Sequence, residues 1–526
     1  MASTLLLLLL TLPHQTTGVG VDTAVVCPPD FRAALEPWIA YRRQQGHRLA
    51  LLSDTTSAQA IRRQIRQLAQ GGSLRFVLLV GDAEAGRAPQ AGQLARCVPV
   101  HRAKAEVNVL WGSVPHIATD NWYADLDDDQ SPDLAVGRLT ADTPAELESI
   151  VKKILDYERS ADFGPWRRRL NLVAGIGGFG PMADMILESS ARYFLTQDVP
   201  ADYEVSMTYG SWRSPYCPDP RRFHATTLAR LDEGSWFWVY IGHGYHLGLD
   251  MVHVPGGEYP ILDSSDVPKL RCAHAGPVAL FLSCYAGAFD ADADCLAEQM
   301  LRTPGGPVAI LAGSRVTMPY AMSVLARGLM QECFQRHCPT LGEAVLHAKQ
   351  GLLREPDAKD EGRAMLDAIA GAISPAPKML AAERLEHVLQ FNLVGDPLLR
   401  LRYPRSVALK VAATADAGQR LTIAGDSPLA GRATIELVAR RDRLTFIPPR
   451  RSEYPASPEA LAKFQDTYDR ANDQRLTSVD IPLAAGPFSV ELDVPGEAEG
   501  ACHVRAYVEG AGDFALGAAD VTIAAK

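Results

Sequence analysis

The 526-residue sequence has no excess of positive charge: 52 Lys and Arg stand against 62 Asp and Glu, a formal net charge of −10. That balance argues against a nucleic-acid binder or a basic membrane-surface protein, since both need cationic patches to meet phosphate. Long apolar runs are scarce. The first, Leu5 to Leu10, is six leucines followed by Thr11, Leu12 and Pro13, far short of the ~20 residues that span a bilayer. With Thr16, Thr17 and Gly18 as small residues near a cleavage point, residues 1–20 read as a signal peptide, although the segment before the leucines lacks Lys and Arg. No later segment reads as transmembrane, so the expected location is secreted, periplasmic or cell-surface. The fold begins almost directly afterwards, at Asp22, which predicts no long N-terminal pro-segment. The sequence also lacks a CxxC pair and an HExxH motif. Zinc chemistry is therefore not expected. Nine cysteines is an odd count, so at least one thiol is left unpaired. Cys272 with Cys295, or Cys333 with Cys338, remain open as disulfides.

What is present is ordinary for a soluble globular chain. Hydrophobic residues make up 47% and charged residues 22%, which excludes disorder as the main state. At ~150 residues per domain the length predicts three or four domains. Residues 21–162 alternate strand and helix signals. Ala24–Val26, Arg48–Leu52 and the continuous apolar run Phe76–Val80 read as strands, the last buried on both faces. Ser57–Gln70 carries Ile61, Ile65 and Leu68 at helical spacing. Thr143-Pro144-Ala145-Glu146 is a capping box opening a helix with Leu147, Ile150, Val151, Ile154 and Leu155 on its apolar face. A second βα series occupies residues 163–403, with strands at Leu170–Ala174, Trp236–Ile241, Val278–Leu282 and Val308–Leu311. From about Ser406 short alternating runs punctuated by Gly and Pro predict a β-sandwich over residues 404–526. A polar, partly helical insert, roughly Pro448–Arg475, interrupts it and offers an exposed candidate for cleavage.

Two strand ends carry the chemistry. One is Val239-Tyr240-Ile241-Gly242-His243-Gly244, the other Leu280-Phe281-Leu282-Ser283-Cys284-Tyr285-Ala286-Gly287. In open α/β sheets the functional crevice lies at the carboxyl ends of the strands, and neighbouring strands sit ~4.8 Å apart. A Cys on one end and a His on the next are thus a nucleophile and its base for acyl transfer. Gly242 and Gly244 thin the backbone around His243, and the amides of Gly244 and Cys284 are candidates for an oxyanion hole. The bland alternative is a buried structural Cys and a turn His.

These residues resemble the gingipain family of cysteine peptidases, relatives of the caspases and legumains. The resemblance rests on Tyr240–Gly244 and Ser283–Phe289, on Phe391-Asn392-Leu393-Val394-Gly395-Asp396-Pro397-Leu398-Leu399-Arg400, and on Asp133–Leu139 followed by the helix ending in Tyr157-Glu158. It covers roughly residues 24–402. It implies an α/β fold, with a caspase-like parallel-sheet catalytic region of two βα subdomains and an immunoglobulin-like β-sandwich after it. It further implies a cysteine endopeptidase acting on protein or peptide substrates without a required cofactor, with Cys284 as nucleophile and His243 as general base. Asp184 is placed like the pocket acid of arginine-specific members, which implies cleavage after Arg or Lys through a paired guanidinium. The sequence departs from the pattern in the loop after Leu170–Ala174, where Gly175–Gly180 contains no acid to assist the His. The alternative is therefore a catalytically inactive relative acting as a binding or secretion-accessory protein.

Other signals are weaker. Gly175-Ile176-Gly177-Gly178-Phe179-Gly180 imitates a dinucleotide fingerprint but reads better as a turn bordering the cleft. Asp125, Asp127, Asp129 and Asp133 concentrate hard oxygens suited to a structural Ca²⁺, with Asp120 close enough in sequence to join; a solvated acidic loop is the bland reading. His246 and His253 follow His243 and are candidates to line the cleft.

Overall fold

The computed structural model describes residues 20–52, 57–84, 96–176, 198–272, 276–356, 360–455 and 457–525. Strands of three to six residues form the centre. Numbering the strands of the main sheet, these are β1 (Thr23–Val26), β2 (Leu49–Leu51), β3 (Phe76–Val80), β4 (Ala135–Leu139), β5 (Arg169–Ala174), β6 (Glu204–Tyr209), β7 (Phe237–Ile241), β8 (Val278–Leu282), β9 (Ala309–Gly313) and β10 (Phe391–Val394). They make one sheet in the order β2-β1-β3-β4-β10-β9-β8-β7-β5-β6. Strands from residues 21–162 and from 163–403 therefore share a single sheet. All pairs are parallel except β9 with β10, whose register sets Ile310 opposite Val394. Every residue of β3, β8 and β9 is buried, as expected when helices cover both faces. β6 and β10 are not evident as strands from pattern alone. β6 alternates half-buried and buried residues at the sheet edge, and β10 is enclosed by β4 and β9.

The predicted helix starts hold. In α1 (Ala58–Ala69), Ser57 Oγ accepts from the Ala60 amide at 3.2 Å. In α2 (Pro144–Arg159), Thr143 Oγ1 accepts from the Glu146 amide at 3.3 Å, and the Glu146 carboxylate accepts from the Thr143 amide at 3.0 Å. The stretch Phe391–Arg400 closes the catalytic region by an ionic clasp. Asp396, fully buried, accepts from Trp38 Nε1 at 2.5 Å and from Arg42 at 2.5 Å. Arg42 also holds Glu158 at 2.7 Å, and Glu158 accepts from the Arg400 amide at 3.1 Å. The end of α2, an N-terminal helix and the last strand are thereby tied together.

After residue 404 two sheets face each other. One contains Gly431–Ala439, Gly500–Gly510 and Phe514–Ala524; the other contains Arg420–Ser427 and Gly486–Asp493. Leu421, Ile423, Ile435, Leu437, Val504, Val508 and Val521 form the core between them. Within the insert, Pro458–Asn472 is a helix, and it packs back on β6. Asn472 Oδ1 accepts from the Met207 amide at 2.7 Å, and the Tyr468 and Thr208 hydroxyls are 2.8 Å apart. Among the described residues no helix is long and apolar enough to cross a membrane.

Candidate active site

β7 and β8 are parallel neighbours, with Ile241 directly opposite Leu282. His243 and Cys284 each follow by two residues, so both leave the same edge of the sheet at the same level. The two loops touch. A side chain on Gly244 would place its Cβ 2.7 Å from Ser283 Oγ and 2.9 Å from the Cys284 carbonyl oxygen, so only glycine lets the His243 loop lie against the Cys284 loop. Gly242 has φ +154°, and a Cβ there would meet the Tyr240 hydroxyl at 2.7 Å. That hydroxyl donates to the His243 carbonyl at 2.7 Å and fixes the turn. Burial raises Tyr240 well above its ordinary pKa, which keeps it a donor.

Cys284 is half-buried. Its Sγ accepts from the Thr317 amide at 3.3 Å and lies 3.6 Å from the Thr317 hydroxyl. Thr317 stands just before α3 (Pro319–Phe334), whose N-terminus is the positive end of the helix dipole and whose first amides are taken by His387 and Glu383. Tyr285, directly after Cys284, has φ +56°, an uncommon conformation for a bulky residue and one that clusters at functional turns. Thr317 escapes sequence reasoning, whereas Tyr240 and Tyr285 stand in the strand-end motifs without a role assigned to them. Thr317 is 33 residues beyond Cys284, and only the sheet order brings it to the sulfur.

All nine cysteines are free, so the Cys272–Cys295 and Cys333–Cys338 pairings are not formed. Burial pushes the thiols of Cys27, Cys217 and Cys272 up to about 12 and that of Cys97 up to about 11. Such groups stay protonated near neutral pH; Cys27 and Cys217 are core residues, and Cys97 and Cys272 are half-buried. Of the histidines after His243, His253 lies on the exposed hairpin Met251–Pro260, 3.5 Å from Glu258. His246 is half-buried, and its carbonyl accepts from the Leu296 amide at 2.9 Å.

In the acidic loop, carboxylate oxygens of Asp125, Asp127 and Asp133 lie within 4.8 Å of one another. Asp129 stands outside that trio and accepts from the Ser131 amide at 2.7 Å. Asp120 does not join them: it is buried and bound to Arg138 at 2.6 Å, so burial of the guanidinium has claimed it as a counter-ion. Burial, together with Asp127, Asp129 and Asp125, raises the pKa of Asp133. Asp184 and Gly177–Gly180 lie outside the described residues, as does the leader up to residue 19.

The model of peptidase family C25 matches residues 16–402. The chain therefore belongs to this family of cysteine peptidases. Among curated proteins it is similar to Lys-gingipain of Porphyromonas gingivalis, 22% identical over 295 residues. That match covers 54% of this chain and 15% of Lys-gingipain, so the chain spans only a small part of that relative's length. Among solved structures it resembles the Arg-specific cysteine proteinase gingipain R, with TM-score 0.53 and 15% identity over 98% of this chain and 100% of that one. It also resembles the complex of P. gingivalis RgpB pro- and mature domains, with TM-score 0.53 and 15% identity over 96% and 100% of the two chains. At these identities the structures establish a shared fold.

Proposed function

We propose that the protein is an exported cysteine endopeptidase in which Cys284 and His243 form the catalytic dyad. The observation that supports this reading best is the in-register exit of His243 and Cys284 from paired strands, with Gly244 lying against Cys284. In this reading the Cys284 sulfur attacks the scissile carbonyl carbon. The amides of Gly244 and Cys284 meet the developing oxyanion. His243 accepts the thiol proton and returns it to the leaving amine as the C–N bond breaks. Water then attacks the thioester, releasing the second product and restoring the thiol. The Thr317 amide gives the sulfur a hydrogen-bond donor that a thiolate can use.

Cleavage after Arg or Lys, with Asp184 as the pocket acid, belongs to the same proposal, as does a structural Ca²⁺ on Asp125, Asp127 and Asp133. A Cys284→Ala variant is expected to lose hydrolysis of Arg- and Lys-containing peptides by on the order of 10⁴-fold or more, together with labelling by a thiol-directed peptide inhibitor. Unchanged turnover overturns the dyad. If wild-type protein shows neither labelling nor cleavage, with or without Ca²⁺, the inactive binding or secretion-accessory reading takes its place. A positional-scanning library on wild type and Asp184→Ala tests the pocket: loss of the basic preference supports it, and an unchanged profile removes it.

A further inference from the structure

We propose that Glu332, Cys338 and His347 form a zinc-binding site at the turn between α3 and the helix α4 (Leu341–Leu353). Glu332 sits in the last turn of α3, Cys338 in the connection, and His347 midway along α4. Cys338 Sγ lies 3.1 Å from Glu332 Oε2 and 3.4 Å from His347 Nδ1. His347 Nδ1 is 3.4 Å from the same Glu332 oxygen. The three donor atoms thus form a nearly equilateral triangle. A tetrahedral ion with Zn–S ~2.3 Å, Zn–N ~2.0–2.1 Å and Zn–O ~2.0–2.2 Å holds its ligand atoms about 3.3–3.6 Å apart. The triangle needs only a few tenths of an ångström of opening to reach that size.

The donor set selects the ion. Thiolate, imidazole and carboxylate together suit a borderline cation, whereas Ca²⁺ and Mg²⁺ take oxygen shells. Glu332 and Cys338 are buried, and the His347 side chain is 47% exposed. The fourth position therefore faces solvent and takes water. Outer contacts already orient the ligands, as metal sites require. The other Glu332 oxygen pairs with Arg336. The Cys338 amide donates to the Glu332 carbonyl at 3.0 Å, and the Tyr403 hydroxyl donates to the Cys338 carbonyl at 2.7 Å. Zinc replaces the Cys338 thiol proton, which passes to solvent; the imidazole binds neutral and the carboxylate ionised. The site lies at the far end of α3 from Thr317 and Cys284. Sixteen residues separate the two ends, about 24 Å of helix, so this ion is independent of the peptidase chemistry. Bound there, it clasps α3 to α4.

The test uses the full chain carrying Cys284→Ala, so that the active-site thiol does not compete, after chelator treatment. Zinc chloride is titrated by calorimetry, and Co²⁺ is added separately as a spectroscopic probe. The expected result is one equivalent of zinc bound with proton release, and a thiolate-to-cobalt charge-transfer band. His347→Gln, at an exposed position and with an unchanged circular dichroism spectrum, should weaken zinc at least about 10–100-fold, and Cys338→Ser should abolish the cobalt band. Absence of stoichiometric zinc uptake, or uptake undiminished in either variant, overturns the site. Hydrolysis is not the readout, so this result stands apart from the outcome for the peptidase reading.

Discussion

Gly244 is the residue on which the contact between the two loops turns. A methyl group there meets Ser283 Oγ and the Cys284 carbonyl below 3.0 Å, and neither is the free end of a long side chain. Gly244→Ala is expected to push the His243 and Cys284 loops apart and to lower kcat/KM by ~100-fold, because a displacement of about 1 Å costs that much in an oriented site. The stability cost should stay near the ~1–3 kcal/mol of overpacking. Peptide hydrolysis and urea unfolding of the same preparation separate the two effects. A second single residue, His387, shows how a histidine can be buried without being a ligand. Its Nε2 accepts from the Met318 amide at 2.8 Å at the start of α3, and Nδ1 meets the Glu383 carbonyl at 2.7 Å.

Burial depresses His387 to about 4, from an ordinary 6.5. The unfolded chain therefore takes up the proton first as pH falls. The stability that neutral His387 contributes is fully present above pH 6.5 and is lost as pH falls toward 4. Glu383, raised by burial to about 7, acts in the opposite sense, stabilising below its unfolded value and losing that contribution as pH rises toward 7. A comparison of variants isolates the His387 part. The disadvantage of His387→Gln relative to wild type at pH 7 should shrink by about 2 kcal/mol at pH 5, measured by urea unfolding at both values.

At the scale of elements, the clasp among Arg42, Glu158 and Asp396 joins an N-terminal helix, α2 and the segment after β10. Arg42 and Asp396 are completely buried. Arg42→Met leaves two buried carboxylates without their cation and is expected to cost ~3–5 kcal/mol, read as a lower urea midpoint at unchanged slope. Both acids, Asp396 and Glu158, lie in the stretches that carry the resemblance, and both are held by Arg42. Strand order explains Thr317. β9 is inserted between β8 and β10, so the loop that leaves β9 arrives at the Cys284 sulfur.

Across the whole molecule, the sandwich is docked by buried ions. Glu436, on the sandwich strand Gly431–Ala439, holds Arg168 of the catalytic region at 3.1 Å and Arg505 at 3.0 Å. Arg441 donates to the Val199 carbonyl at 2.6 Å. An interface of this kind couples the two parts. Calorimetry is expected to show one unfolding transition, and Glu436→Gln, which takes the carboxylate from buried Arg505 and leaves Arg168 with Glu204 alone, should move it down by several degrees while keeping it single. Two separate transitions would show that the sandwich unfolds on its own.

The sequence by itself determined the alternation of βα units, the buried strands Phe76–Val80 and Val278–Leu282, the capped helix at Thr143 and the sandwich after residue 404. Each of these follows from local period, capping or turn chemistry, which neighbouring residues specify. It also singled out His243 and Cys284, because glycine flanks and strand ends are local features. Only the tertiary structure decided that β7 and β8 are neighbours in register and that β10 returns antiparallel. It also placed Thr317 on the sulfur, gave Asp120 to Arg138, and gathered Glu332, Cys338 and His347 within hydrogen-bond distance. Strand order and side-chain pairing across tens or hundreds of residues depend on which faces bury each other, and no local spacing records that.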